Sequence, residues 1–417
     1  MLEWLRLVYA GGTIGGTHSA KPARAAAALD RVDRSDPVVA CAIGDVDGVS
    51  GAVAADPGWV HRPGGPLALP PLVAVTHSSL VRLPDFARGL RECARVLLEA
   101  GADPDQTVAS PDGHPLSALY GAAGLTHDAP MTALLIDADA NLDDHESLYH
   151  SLGDLGCVRL LLAAGATVTG TNAMYAVADH DDADVLRLLL EHGGDPNEPS
   201  PTWGSPLLFA LRRRCSTAFV RLLLDAGADP DAVGPDGIGT HRVALRFGLP
   251  EVAALLPATE SGDDPRERLI AACTSGDGAT ARRLLADNPG VVASLDAGQR
   301  RLLPDLAAAG AVAAVRLMVE AGWPVDTLGG DWHATALNHA VFRGDAGLTR
   351  FLLEHGADPA VRHGFGDTVV GTLSWASQHN EERGIAADWP GCARALLDHG
   401  VVLPEDYEFS EDVSALR

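Results

Sequence analysis

The sequence predicts an all-α fold, a solenoid of about eleven helix–turn–helix units of about 33 residues each. Three observations predict it. A phrase recurs as LLEAGADPD (97–105), LLEHGGDPN (189–197), LLDAGADPD (223–231) and LLEHGADPA (352–360). Weaker copies are LIDADANLD (135–143), LLAAGATVT (161–169), VEAGWPVD (319–326) and LLDHGVV (396–402). The spacing is regular: Gly193 to Gly227 and Gly322 to Gly356 are each 34 residues. Composition agrees, with 5 % aromatic residues and Ala at roughly one in six of 417 residues, which suits thin helices packed closely.

The elements follow in order. Residues 1–35 lie outside the repeat pattern. They open with a Gly-rich stretch, Gly11-Gly12-Thr13-Ile14-Gly15-Gly16, expected to be flexible, and then an Ala-rich segment, 22–32, expected to form a small capping helix. A degraded first unit spans 37–60. The second starts at Pro70-Pro71-Leu72 and carries an inter-helix insertion, 77–91. Units three to six end at Asp139-Ala140-Asn141, Gly165-Ala166, Gly193-Gly194 and Gly227-Ala228, and a seventh spans 238–256. Residues 257–265 (PATESGDDP) read as a joint. The pattern resumes over 269–292, 303–326, 335–358 and 372–401, the last holding an insertion at 377–390. The domain reading is therefore 1–35 as an extension, 36–256 and 266–404 as stacks joined at 257–265, and 405–417 as an acidic tail expected to fray.

Local chemistry explains the phrase. Val220 with Leu222, Leu223 and Leu224 lays a wide apolar stripe on one helix face. The glycine behind each Leu run supplies a left-handed residue that ends the helix. His192, His355 and His399 directly precede that glycine, where an imidazole serves the helix C-terminus. The Asp-Pro that follows starts a turn.

A second phrase sits upstream of the Leu runs: Ser205-Pro206-Leu207-Leu208-Phe209-Ala210 and Thr335-Ala336-Leu337-Asn338-His339-Ala340. The two phrases together resemble the ankyrin repeat, with its TPLHxA helix start and terminal Gly-Ala-Asp, over roughly residues 36–404. ESLYHSL (146–152) and RERLIAACTSGD (266–277) look like a bacterial form of that family. The resemblance implies a concave face of first helices and β-turn fingers that binds another protein. It places Ala74, Gly121, His150, Ala176, Phe209, Asp305, His339 and Trp375 on the concave face, and Trp203, Asp236, Asp331, Trp332, His333 and His363 on the fingers. The partner-binding candidates among them are His150, Trp203, Phe209, Asp236, Asp305, Trp332, His333, His339, His363 and Trp375. Tyr120, Tyr149 and Tyr175 replace the family's TPLH histidine and are expected to form a ladder between repeats.

Charge and cysteines bound the function. Lys+Arg number 31 against 56 Asp+Glu, a net charge of −25, and only Lys21 is a lysine. Such a surface repels nucleic acid and anionic membranes and favours a protein partner with a basic patch. Cys41, Cys93, Cys157, Cys215, Cys273 and Cys392 are widely spaced, as isolated core thiols of a cytoplasmic protein are. No apolar run is long enough to span a bilayer, and a monomer is expected.

Three patterns suggest chemistry. Gly11-Gly12-Thr13-Ile14 is similar to an asparaginase signature, but nothing downstream resembles the α/β sheet that such an enzyme needs. Asp179-His180-Asp181-Asp182 matches an acid motif of terpene cyclases, which needs a buried, protonated carboxyl; here it falls in an inter-helix loop. Asp137, Asp139, Asp143, Asp144, His145 and Glu146 offer oxygen and imidazole ligands without a metal-site spacing. The alternative to a binding module is thus an enzyme using His150 and His339, with Asp179, Asp181 and Asp182, in a pocket made by the two insertions. No cofactor or metal is implied.

Overall fold

The computed structural model describes residues 1–15, 18–110, 113–258, 264–379 and 387–417. Residues 259–263 of the expected joint, 380–386 of the second expected insertion, and Gly16 of the Gly-rich stretch fall outside them. By contacts the chain divides into two compact units, 1–198 and 199–417. Both are stacks of paired helices, the all-α repeat architecture expected. Among the described residues, no helix is long and apolar enough to cross a membrane.

Aspartates start the second helix of most repeats. Asp45, Asp128, Asp154, Asp182, Asp277, Asp345 and Asp388 each accept a backbone N–H of the first turn that follows. Each such cap is worth about 1 kcal/mol, and its charge suits the positive end of the helix dipole. Part of the −25 is therefore structural. First helices are started by Ser117, Ser205, Thr335 and Thr368 in the same way.

Helix ends behave as the phrase dictates. Gly193 and Gly227 have φ of +90° and +93°, with no neighbour crowding the Cβ position. Left-handed backbone alone thus calls for glycine there. His192, His355 and His399 donate from Nδ1 to the carbonyls of Leu188, Phe351 and Ala395, four residues back, at 2.8–2.9 Å. All six cysteines are buried.

In the 1–198 unit, two sequence expectations are corrected. The Gly-rich stretch is ordered where described: Gly11–Ile14 is a short helix, Thr13 is buried, and its Oγ1 bonds His77 Nδ1 at 3.1 Å. Tyr9 donates to the Ala74 carbonyl at 2.7 Å, and Ser79 to that of Val8, which fastens the same segment. The insertion at 77–91 is mostly helix. After one turn at Ser79–Arg82, Pro84 occupies the first position of a 16-residue helix, Pro84–Glu99, where its lacking N–H costs nothing. The finger behind it is a two-stranded antiparallel hairpin, Thr107–Ala109 with Pro115–Ser117.

The 199–417 unit stacks Pro206–Arg213, Thr240–Arg246, Pro265–Thr274, Ala297–Ala308, Ala336–Phe342 and Val369–Gln378 as first helices. Arg246 pairs with Glu267 across the expected joint, and Gln299 donates to the same carboxylate at 2.8 Å. Burial pulls the Glu267 carboxyl upward, but these donors outweigh it and hold it below its ordinary value. The tail does not fray. Ser374 and Gln378 donate to the Glu408 carbonyl, Tyr407 donates to Asp367, and Phe409 and Val413 are buried.

Candidate functional site

Two fingers of the 199–417 unit carry the same device. The antiparallel bridge Ser200↔Gly204 holds a finger that lays Trp203 on Phe209, centroids 4.9 Å apart. The bridge Gly329↔Ala334 holds a finger that lays Trp332 on His339, at 4.7 Å. Phe209 and His339 occupy the same position of their helices. Each is only 2 % exposed, so they are roofed residues and not the surface anchors expected from their place on the concave face. His339 Nε2–H donates to the Gly329 carbonyl at 3.3 Å, and burial drives its pKa down to about 4. Gly330 has φ +68°, and a Cβ there would stand 2.4 Å from that nitrogen, so the turn needs glycine.

From Trp332 the rings continue outward. Phe342 lies 5.6 Å from Trp332, and Trp375 stacks on Phe342 at 5.5 Å with 12° between planes. His379 also stacks on Trp375, at 4.1 Å. In another direction His363 meets Trp332 edge-on at 5.1 Å, and Phe365 meets His363 at 6.0 Å. The outer members stay in solvent: Trp375 is 40 % exposed and Phe365 81 %. Burial lowers the pKa of His363, and the nearby Asp367 carboxylate opposes that shift.

The charged candidates are engaged. Asp305 is mostly buried, accepts Gly330 N–H at 2.6 Å and sits 3.3 Å from Arg301 Nε, so it fastens a finger rather than facing a partner. Desolvation raises its pKa. Asp236 pairs with Arg212 at 2.7 Å; burial pulls its carboxyl up, and Arg212 outweighs that and lowers it. His333 is exposed at φ +52°, and its carbonyl accepts Gly364 N–H.

The ring set of the 1–198 unit is of a different kind. His77, Tyr120, His150 and Tyr149 follow one another at centroid distances of 5.8, 5.2 and 4.0 Å. A turn of π-helix, Gly121–Leu125, lets the chain pass these rings; a Cβ on Gly121 would meet the His77 ring at 2.2 Å. The tyrosine hydroxyls split their roles. Tyr175 donates to the Glu198 carbonyl in the following finger, whereas Tyr149 donates to Glu146 at 3.0 Å within its own repeat. His150 Nε2 stands 3.2 Å from the same Glu146 oxygen; burial lowers its pKa and Glu146 opposes.

The residues held for chemistry are scattered. His150 belongs to one unit and His339 to the other. Asp179, Asp181 and Asp182 are exposed, Asp181 at φ +49° and Asp182 capping Ala183–Glu191. Asp143 accepts from Thr167, and Asp144 from Ser117 and Ser147, so these carboxylates order turns. Among the described residues no group of three His, Cys, Asp or Glu is placed to hold a metal. A surface depression of about 580 Å³ is lined by residues that include Gly310, Arg343, Gly344, Asp345 and Asp388, and none of the rings lines it. Sequence reasoning missed Phe342, Phe365 and His379. Phe365 had a legible signal, a large ring between Gly364 and Gly366.

Family models match the chain in two places. Residues 149–234 match "Ankyrin repeats (3 copies)" and residues 332–364 match "Ankyrin repeat". No curated protein matches. Among solved structures, the chain is similar to the ankyrin repeat domain of Bcl-3, described as a unique member of the IkappaB protein family. The identity is 20 %, over 56 % of this chain and 88 % of that one, with a TM-score of 0.25. Ankyrin repeats are in general protein–protein interaction modules.

Proposed function

We propose that this ankyrin-repeat protein is a monomeric, cytoplasmic scaffold that binds a basic protein segment on the aromatic array of residues 332–379. One observation carries the reading. Large rings occupy successive finger and first-helix positions, each touching the next, and the outer two are open to solvent although the fold has buried places for large rings. Trp4, Trp323 and Trp389 are buried, each donating its indole N–H to a backbone carbonyl. Exposed aromatic side chains are the usual anchors of protein interfaces. A net charge of −25 steers a basic partner toward them. Six buried, widely spaced cysteine thiols support a reducing compartment.

The test is affinity capture with the full chain, followed by titration of the captured partner. Trp375→Ala with Phe365→Ala is expected to weaken binding at least about tenfold, near 1.4 kcal/mol, with the melting curve retained. Unchanged affinity in a folded double variant would place the interface elsewhere.

A further inference from the structure

The two Trp-bearing fingers of the 199–417 unit are tied together by a side-chain contact. Arg213, at the end of Pro206–Arg213, lies 4.2 Å over the Phe209 ring and pairs with Asp331, 118 residues later. Three repeats intervene in sequence, with first helices at 240–246, 265–274 and 297–308. Among the described residues no antiparallel finger bridge falls between 240 and 328. Asp305 fixes the far finger through the N–H of Gly330, the residue before Asp331 in the chain. Neither partner is sealed in: the Arg213 side chain is 24 % exposed and that of Asp331 43 %.

We infer that Asp331, beside Trp332, is the seat for an arginine side chain of the basic partner, and that Arg213 fills this seat in the free protein as an internal competitor. The inference rests on the aromatic array being the interface. Arg213 shows the chemistry directly: a planar guanidinium lies on a ring and pairs with a carboxylate, the combination that a guanidinium satisfies and an ammonium satisfies less well. A partner arginine on Asp331 keeps that ion pair and brings the partner to the finger that carries Trp332. A partly exposed pair holds weakly, so the exchange is easy.

The test uses the full chain and two labelled eight-residue peptides, one of arginine and one of lysine, titrated at about 0.15 M salt, where long-range attraction is screened. Arg213→Ala is expected to bind the arginine peptide about threefold to fivefold more tightly, with a smaller gain for lysine. Adding Asp331→Asn should remove the gain. Arg343→Ala deletes one charge in the neighbouring repeat; an equal gain there overturns the inference, since bulk charge would then account for it. An unchanged or weaker arginine affinity in Arg213→Ala also overturns it. If that variant does not fold, Arg213→Gln is read with the same expectations. Trp375→Ala separates the two readings. If it weakens the arginine peptide while Arg213→Ala has no effect, the array stands and the seat falls. If it changes nothing while Arg213→Ala tightens binding, Trp375 falls as the anchor and the interface narrows to the finger that carries Asp331 and Trp332.

Discussion

The aromatic rings of residues 1–198 and of residues 199–417 occupy corresponding positions of the same repeat, yet they end differently. In the first unit the column from His77 to Tyr149 closes on polar partners: Thr13 and the Ser117 carbonyl for His77, and Glu146 for Tyr149 and His150. In the second, the rings that start at Trp332 pass through Phe342 and His363 and end in solvent at Trp375 and Phe365. A ring whose polar atoms are engaged has been used for structure, as His150 is through Glu146 although its side chain is 39 % exposed. A ring with faces or edges left open is available to a partner. Position in the repeat therefore does not decide function; what covers the position does.

The largest effect expected from this contrast is acid sensitivity of the buried imidazoles. His77 donates from Nε2 to the Ser117 carbonyl and accepts at Nδ1 from Thr13, so it is held neutral, with a pKa pushed down to about 4 by burial. His339 is lowered to about 4 for the same reason. The unfolded chain protonates near 6.5. Above that pH neither state takes up the proton, and stability is complete. Between 6.5 and 4 only the unfolded state gains it, so stability falls as pH falls, by up to about 3 kcal/mol per residue, and then levels. Urea midpoints at pH 7 and 4.5 measure this. His77→Gln and His339→Gln should each flatten the acid slope; an unchanged slope in either would show that imidazole already charged in the fold.

Much of this architecture was legible because it rests on local backbone needs. Gly193, Gly227 and Gly356 announce left-handed helix ends, His192 and His355 announce the capping bonds, and Ser205 and Thr335 announce helix starts. Covering is not local. Phe209 and His339 were assigned to the concave face from their place in the phrase, but whether a finger Trp lies on them depends on turn geometry at Gly204 and Gly330. The docking of Thr13 on His77, of Phe409 on the last repeat and of Arg213 on Asp331 joins residues far apart in sequence, with no periodic signal. Pro84 starts a helix inside the stretch that the sequence marks only as an inter-helix insertion.

Within the second unit, two tryptophans should separate stability from binding. Trp203 is half-buried and roofs Phe209, so Trp203→Ala opens that ring to water and is expected to cost about 2 kcal/mol of stability. Trp375 is stacked but exposed, and Trp375→Ala is expected to cost under about 1 kcal/mol while removing an anchor. Thermal melts of both variants decide. Equal losses would mean that Trp375 is packing as much as Trp203 is, and the distinction between covered and open rings would fail.

The smallest effect tests whether the first unit's column is closed by its hydroxyls or only by its rings. Tyr149→Phe keeps the ring against His150 and removes one hydrogen bond to Glu146. The phenol is half-buried, and burial raises its pKa, so the hydroxyl stays protonated and donates throughout the neutral range. Losing one such bond is expected to cost about 1 kcal/mol or less. Glu146 keeps its contact with His150 at 3.2 Å, and without the phenol that carboxylate interacts with the imidazole alone. The His150 pKa, followed by NMR titration, should therefore rise in Tyr149→Phe, because a carboxylate freed from one donor stabilises the imidazolium more strongly. A fall or no change would mean that Glu146 is held by Tyr149 and His150 independently, and that the column is sealed by ring packing alone.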